Sequence, residues 1–158
     1  MKLLFLFLST MALSNNSGSQ KTGNTIPQNV VASFNTKYAG AHISNWKVDK
    51  DGFAATFKLD SKKCCAFYST GGDWLRTETK IRWPWRLPVA VKNALYTGEY
   101  AAWYVDEIKE VEMPGAHQFL VHVDNANVLK VADPYLFKDD YQLYYNESGE
   151  LLKKEKLP

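Results

Sequence analysis

Three histidines, two cysteines and a few carboxylate clusters are the residues of this chain whose types could do chemistry. His42 stands alone. His117 and His122 are separated by an odd number of positions, so on one regular strand they face opposite ways and cannot share a metal or a proton. A helical zinc site would need an HExxH spacing, and neither that nor Cys-x-x-Cys occurs. Cys64 and Cys65 are adjacent. A bond between neighbours closes a strained eight-membered ring, so they read as small apolar residues of a strand. Asp49-x-Asp51-Gly52 hints at a calcium loop, but Lys47 and Lys58 stand where ligands are required. Gly71-Gly72 lies between strand patterns rather than before a helix, so it cannot cradle a phosphate. No G-x-S-x-G elbow is present. Asp139-Asp140 and Glu110/Glu112 read as a solvated loop and a polar strand face. The expectation is a protein without catalytic residues, metal or cofactor.

The remaining chemistry is that of surfaces. Aromatic residues make up 14% of the chain, with five Trp and nine Tyr, an excess that suits a sheet-rich protein and supplies rigid contact area. Alternation along the strands turns Phe67 and Tyr144 away from Tyr68 and Tyr145. Trp74 follows the glycine turn and could extend the same patch. Trp83 and Trp85 sit in the segment Arg82-Trp83-Pro84-Trp85-Arg86, where they either cover a seam or grip a partner. These five aromatics are the candidate partner-binding residues.

The elements that must position them follow from periodicity. Pro27 opens a helical pattern with Val30, Phe34 and Tyr38 on one stripe, and Gly40 ends it. Pro88 opens a second, with Val91 and Leu95 on the stripe. Strand patterns follow the first helix at 41–48, 53–59, 63–69 and 74–81, and the second at 105–112, 119–123, 141–145 and 151–157. The two halves resemble each other. AFYSTGGDWLRTE (66–78) aligns with LYYNESGELLKKE (143–155), and IPQNVVASF (26–34) with LPVAVKNAL (87–95). This alignment gives Gly72 and Gly149 equivalent turns with positive φ. The expected fold class is α+β, in two tandem helix-plus-antiparallel-strand-meander repeats with the helices on one face of an antiparallel sheet.

The expected organisation is a signal peptide at 1–14, a flexible linker at 15–25, a first unit at 26–81, a linker at 82–86 and a second unit at 87–158. An insertion falls somewhere within 124–140. Lys2, the apolar run Leu3–Leu8 and the small residues Ala12 and Ser14 carry the export signal. That run is too short to span a bilayer. The formal charge is +2, too balanced to imply nucleic acid or an acidic membrane.

The doubled motifs IPQNVVASFNTKYAGA, FYSTGGDWLRTE, LPVAVKNAL and YYNESGELLKKE resemble the PepSY-like proteins, also described as β-lactamase-inhibitor-like, which bacteria export. The resemblance implies a periplasmic or secreted, non-enzymatic two-repeat domain. Its relatives in shape inhibit secreted enzymes by laying an aromatic-rich sheet face over them. It implies a protein partner in the envelope or outside the cell, and no cofactor. The alternative is an envelope module that binds or senses a small ligand, which would need a pocket with convergent polar groups.

Overall fold

Proline fixes φ and lacks an N–H, so it costs nothing where a helix begins. Both helices of the computed structural model, which describes residues 25–126 and 138–158, start directly after one. Pro27 precedes α1 (Gln28–Lys37) and Pro88 precedes α2 (Val89–Thr97). Around them run β1 (His42–Asp49), β2 (Gly52–Leu59), β3 (Lys62–Ser69), β4 (Trp74–Lys80), β5 (Tyr104–Met113), β6 (Ala116–Asp124), β7 (Asp140–Tyr145) and β8 (Leu151–Lys156). A single 3-10 turn, Pro84–Arg86, lies between β4 and α2.

The eight strands form one sheet in simple sequence order, and every neighbouring pair is antiparallel. This corrects the expected fold class. The chain is not an α+β arrangement of two helix-plus-meander units. Among the described residues its bulk is one eight-stranded sheet, and the two helices are only 10 and 9 residues long. The reason is the β4–β5 ladder, where Thr77, Glu78, Thr79 and Lys80 pair with Glu112, Val111, Glu110 and Lys109. Hydrogen bonding therefore continues across the middle of the chain, and neither half closes on itself. The expected signal peptide at 1–14 and nearly all of the expected linker at 15–25 lie outside the described residues. So does most of the proposed insertion, at 127–137.

Directly paired residues share a face of a sheet. Ala66 pairs Thr77, Thr77 pairs Glu112 and Glu112 pairs His117, so these four lie on one face. Both helices pack on that face. Val30 and Phe34 of α1 are fully buried against Ala55, Phe57, Ala66 and Tyr68. Val91 and Leu95 of α2 are fully buried against Val121, Val123 and Leu143. Burying each such large apolar side chain contributes roughly 2–3 kcal/mol. Between the two cores lies a polar strip of Thr77, Thr79, Glu110, Glu112 and His117 around a cleft of about 270 Å³. The Tyr38 hydroxyl closes one side of it by bonding the Thr77 hydroxyl.

Candidate functional site

The other face of the sheet carries no helix among the described residues. Its rows follow from the same register. Phe67 pairs Arg76, Cys65 pairs Glu78, and Lys109, Leu120, Tyr144 and Lys153 follow one another across β5 to β8. Long side chains lie flat on this face. The Arg76 guanidinium stacks 3.6 Å from the centre of the Phe67 ring, and its Nε donates to Glu78 at 2.9 Å. Glu78 lies 3.2 Å from Lys109, which reaches Glu107 at 3.0 Å, and Glu107 meets Lys80 at 3.1 Å. The stems of these residues cover smaller neighbours. Ala54, Val111 and Leu120 are therefore buried although no helix among the described residues lies above them.

Tyr144 is held in the same manner. Its hydroxyl donates to Glu155 at 2.9 Å, with Gln142 Oε1 beside it at 3.1 Å. Burial first, and then the Glu155 carboxylate, push this hydroxyl up to about 12. Burial likewise raises the Cys65 thiol, which lines a depression of about 320 Å³ with Phe67, Lys63 and Lys109. Both cysteines are free.

The histidines sit on opposite faces, as strand alternation requires. His117 lies on the helix side between Glu110 at 3.0 Å and Glu147 at 2.7 Å. His122 lies on the open side between Asp106 at 3.0 Å and Asp140 at 3.3 Å. Among the described residues, no group of three or more His, Cys, Asp or Glu side chains is arranged to hold a metal ion.

The five aromatics singled out from sequence do not form one patch. Phe67 and Tyr144 share the open face, but β3 and β7 are four strands apart, roughly 19 Å at about 4.8 Å per strand. Trp74 lies on the opposite face from Phe67. A register shift between Phe67 and Tyr68 pairs Trp74 with Tyr68 and turns it to the helix side. There it packs on the α1 core, donates from Nε1 to Thr77 at 2.8 Å, and lies 3.5 Å beneath the Lys37 ammonium. Trp83 and Trp85 lie in the segment between β4 and α2. They stack on each other with ring centres 4.9 Å apart and planes 11° from parallel, and they are 45% and 64% exposed.

One feature escaped the sequence reading. Lys62 and Lys63, at the β2–β3 turn, come together with Lys80, Arg82 and Arg86 around a cleft of about 730 Å³ beside Trp83. The paired lysines at a turn and the arginines flanking the tryptophans were the only local signals, and nothing local says that they meet.

No protein-family model matches the chain, and no curated protein does. Solved structures do match. A BLIP-like protein from Bacteroides fragilis superimposes with a TM-score of 0.71 at 22% identity, over 86% of this chain and 89% of that one. A Bacteroides eggerthii protein described by name as periplasmic gives 0.70 at 20% identity, over 84% and 89%. These two likenesses concern the fold. Neither name is that of an enzyme, and no helix among the described residues is long and apolar enough to cross a membrane. A DUF2874 family protein from Bacteroides ovatus gives a TM-score of 0.73 at 30% identity, over 85% of this chain and 89% of that one. With that identity across almost the whole of a solved relative, the chain belongs to the DUF2874 family.

Proposed function

We propose that this chain is an exported, non-enzymatic module that binds a protein partner, inhibitor-like, through the helix-free face of its sheet and the tryptophans beside it. One observation carries the reading. An eight-stranded sheet leaves a whole face without a helix among its described residues, and that face presents half-buried Phe67 and Tyr144 set among ordered charges. Flat-lying aromatic and arginine side chains already held in place lose little entropy on contact, which is what a binding surface requires. Three further points support it: the likeness in fold to a BLIP-like protein, a structural neighbour described as periplasmic, and the PepSY-like motifs. The export pattern at Lys2–Ser14 agrees with an envelope or secreted location.

The test uses the mature protein as bait on the envelope and secreted fractions of the producing cells, beside Phe67→Ala, Tyr144→Ala and Trp85→Ala. An inhibitor-like partner is an exported enzyme whose activity falls when the protein is added at equal concentration. Truncating a true anchor costs about 2 kcal/mol of binding, roughly a thirtyfold loss, while the unfolding midpoint changes little. Capture that is indifferent to all three substitutions refutes the surface.

A further inference from the structure

We infer that the cleft between the β2–β3 turn and the segment leaving β4 receives an acidic peptide segment of the protein partner, an inference that rests on the protein-binding reading above. Charge complementarity is the first argument. The cleft of about 730 Å³ is lined by Lys62, Lys63, Lys80, Arg82 and Arg86 against only two carboxylates, Asp60 and Glu110. Glu110 is engaged by His117 and Lys80 by Glu107. Lys62, Lys63, Arg82 and Arg86 have no ion-pair partner among the described residues. Four free cations thus face one free carboxylate.

The second argument is the contrast between two lysine pairs. Lys80 stands directly opposite Lys109, and the pair is neutralised by Glu107 and Glu78. Lys58 stands directly opposite Lys63, and no carboxylate answers it among the described residues. Like charges directly opposite on a sheet oppose folding. Each pair contributes one lysine to the lining, Lys80 and Lys63; the fold compensates the first pair and leaves the second open to an incoming anion.

The rim supplies the third argument. The exposed Trp83–Trp85 stack sits where Trp83 enters the cleft lining, with the Arg82 guanidinium 5.6 Å from the Trp83 ring. Tryptophan and arginine together are the composition of protein hot spots, and guanidinium forks match carboxylates. The turn that brings Lys62 and Lys63 to the other wall holds two non-glycine residues at positive φ, Asp60 at 48° and Ser61 at 65°. Positive φ at both central residues is what the two-residue hairpin loop between Leu59 and Lys62 requires, and it fixes where the two lysines leave the turn. Several cations spread around a roomy cleft suit an extended chain of carboxylates better than one small anion.

The experiment measures fluorescence anisotropy of a short fluorescein-labelled Glu/Leu peptide, its Gln/Leu counterpart and a labelled heparin oligosaccharide. The proteins are the wild type, a Lys63→Gln/Arg82→Gln double variant and Lys50→Gln, which lies at the β1–β2 turn. The Glu/Leu peptide is expected to bind and to weaken as salt rises. The double variant is expected to lose about tenfold or more, and Lys50→Gln to match the wild type. Removing Lys63 also relieves a like-charge pair, so a urea midpoint at or above that of the wild type shows the double variant folded. Equal binding of the Gln/Leu peptide overturns the inference, as does an unaffected double variant. So does binding of heparin without the acidic peptide, which would assign the cleft to a sulfated polysaccharide. If these fail while capture still depends on Phe67 or Tyr144, only the cleft assignment falls. If capture is indifferent to Phe67, Tyr144 and Trp85 alike, the proposed binding surface falls with it.

Discussion

Replacing Gly149 by alanine should cost considerably more stability than replacing Gly72, although both glycines close hairpins of the same design. In each turn the glycine N–H bonds a carbonyl three residues back, Gly72 to Ser69 and Gly149 to Asn146, both at 3.0 Å. Both have positive φ, +92° and +81°. An alanine in that conformation costs about 1 kcal/mol through backbone strain alone. The surroundings then separate the two sites. A Cβ at 72 would meet the Asn29 side-chain amide at 3.0 Å and Asn29 backbone atoms at 3.3 Å, a crowding relieved by small shifts. A Cβ at 149 would meet the Ala90 carbonyl oxygen at 2.5 Å and its carbon at 2.7 Å, in the first turn of α2. Restoring ordinary contact needs the helix to retreat by roughly 1 Å. Val91 and Leu95 are fully buried beneath α2 and oppose that movement. Overpacking of this kind adds about 1–3 kcal/mol. The expectation is roughly 1–2 kcal/mol for Gly72→Ala and about 2–4 for Gly149→Ala. In urea, with a slope of about 2 kcal/mol/M, that is a midpoint loss of roughly 0.5–1 M against 1–2 M. Asparagine accepts positive φ better than alanine, so Gly72→Asn should recover part of the loss. Gly149→Asn should not, because its Cβ meets the same carbonyl. If Gly149→Ala proves no worse than Gly72→Ala, the seating of α2 on the β7–β8 turn is wrong.

The Tyr68 hydroxyl is buried and has no hydrogen-bond partner among the described residues. Tyr68→Phe should therefore leave stability unchanged or raise it by about 1 kcal/mol, and a clear loss in calorimetry would reveal a partner. Ser61 holds φ at 65° in the β2–β3 turn, so Ser61→Gly should raise the unfolding free energy by about 1 kcal/mol, and a loss would show that the turn is not strained. Burial pushes the Glu107 carboxyl up, but hydrogen bonds from Lys109 and Lys80 outweigh it and hold the group below its ordinary 4.5. A lowered carboxyl stabilises the fold fully above about pH 4.5 and loses that contribution as pH falls through its folded value. Urea midpoints of Glu107→Gln should accordingly vary less with pH below about 4.5 than those of the wild type, and parallel profiles would contradict the network.

Much of the local structure was legible in the sequence because local physics encodes it. Pro27 and Pro88 mark the helix starts, and Val30, Phe34, Val91 and Leu95 mark the faces that become buried. Alternation set Phe67 and Tyr144 on the opposite side from Tyr68 and Tyr145, which are buried, and the two turn glycines have the positive φ expected of them. What the pattern did not contain was how these pieces join. Pairing between β4 and β5 depends on residues separated by the linker and α2, and it joins the strands of both halves into one sheet, which local pattern does not decide. Trp74 shows the limit most sharply. Alternation is reliable only while the register holds, and one shift between Phe67 and Tyr68 moves the tryptophan to the other face. The basic cleft was invisible for a related reason. Lys62 and Lys63 reach Arg82 and Arg86 only because β3 and β4 fold back on each other and bring the β2–β3 turn beside the end of β4. Periodicity reports which way a side chain points from its own backbone. Which charges it will meet across strands is decided by register, and register is a property of the folded sheet.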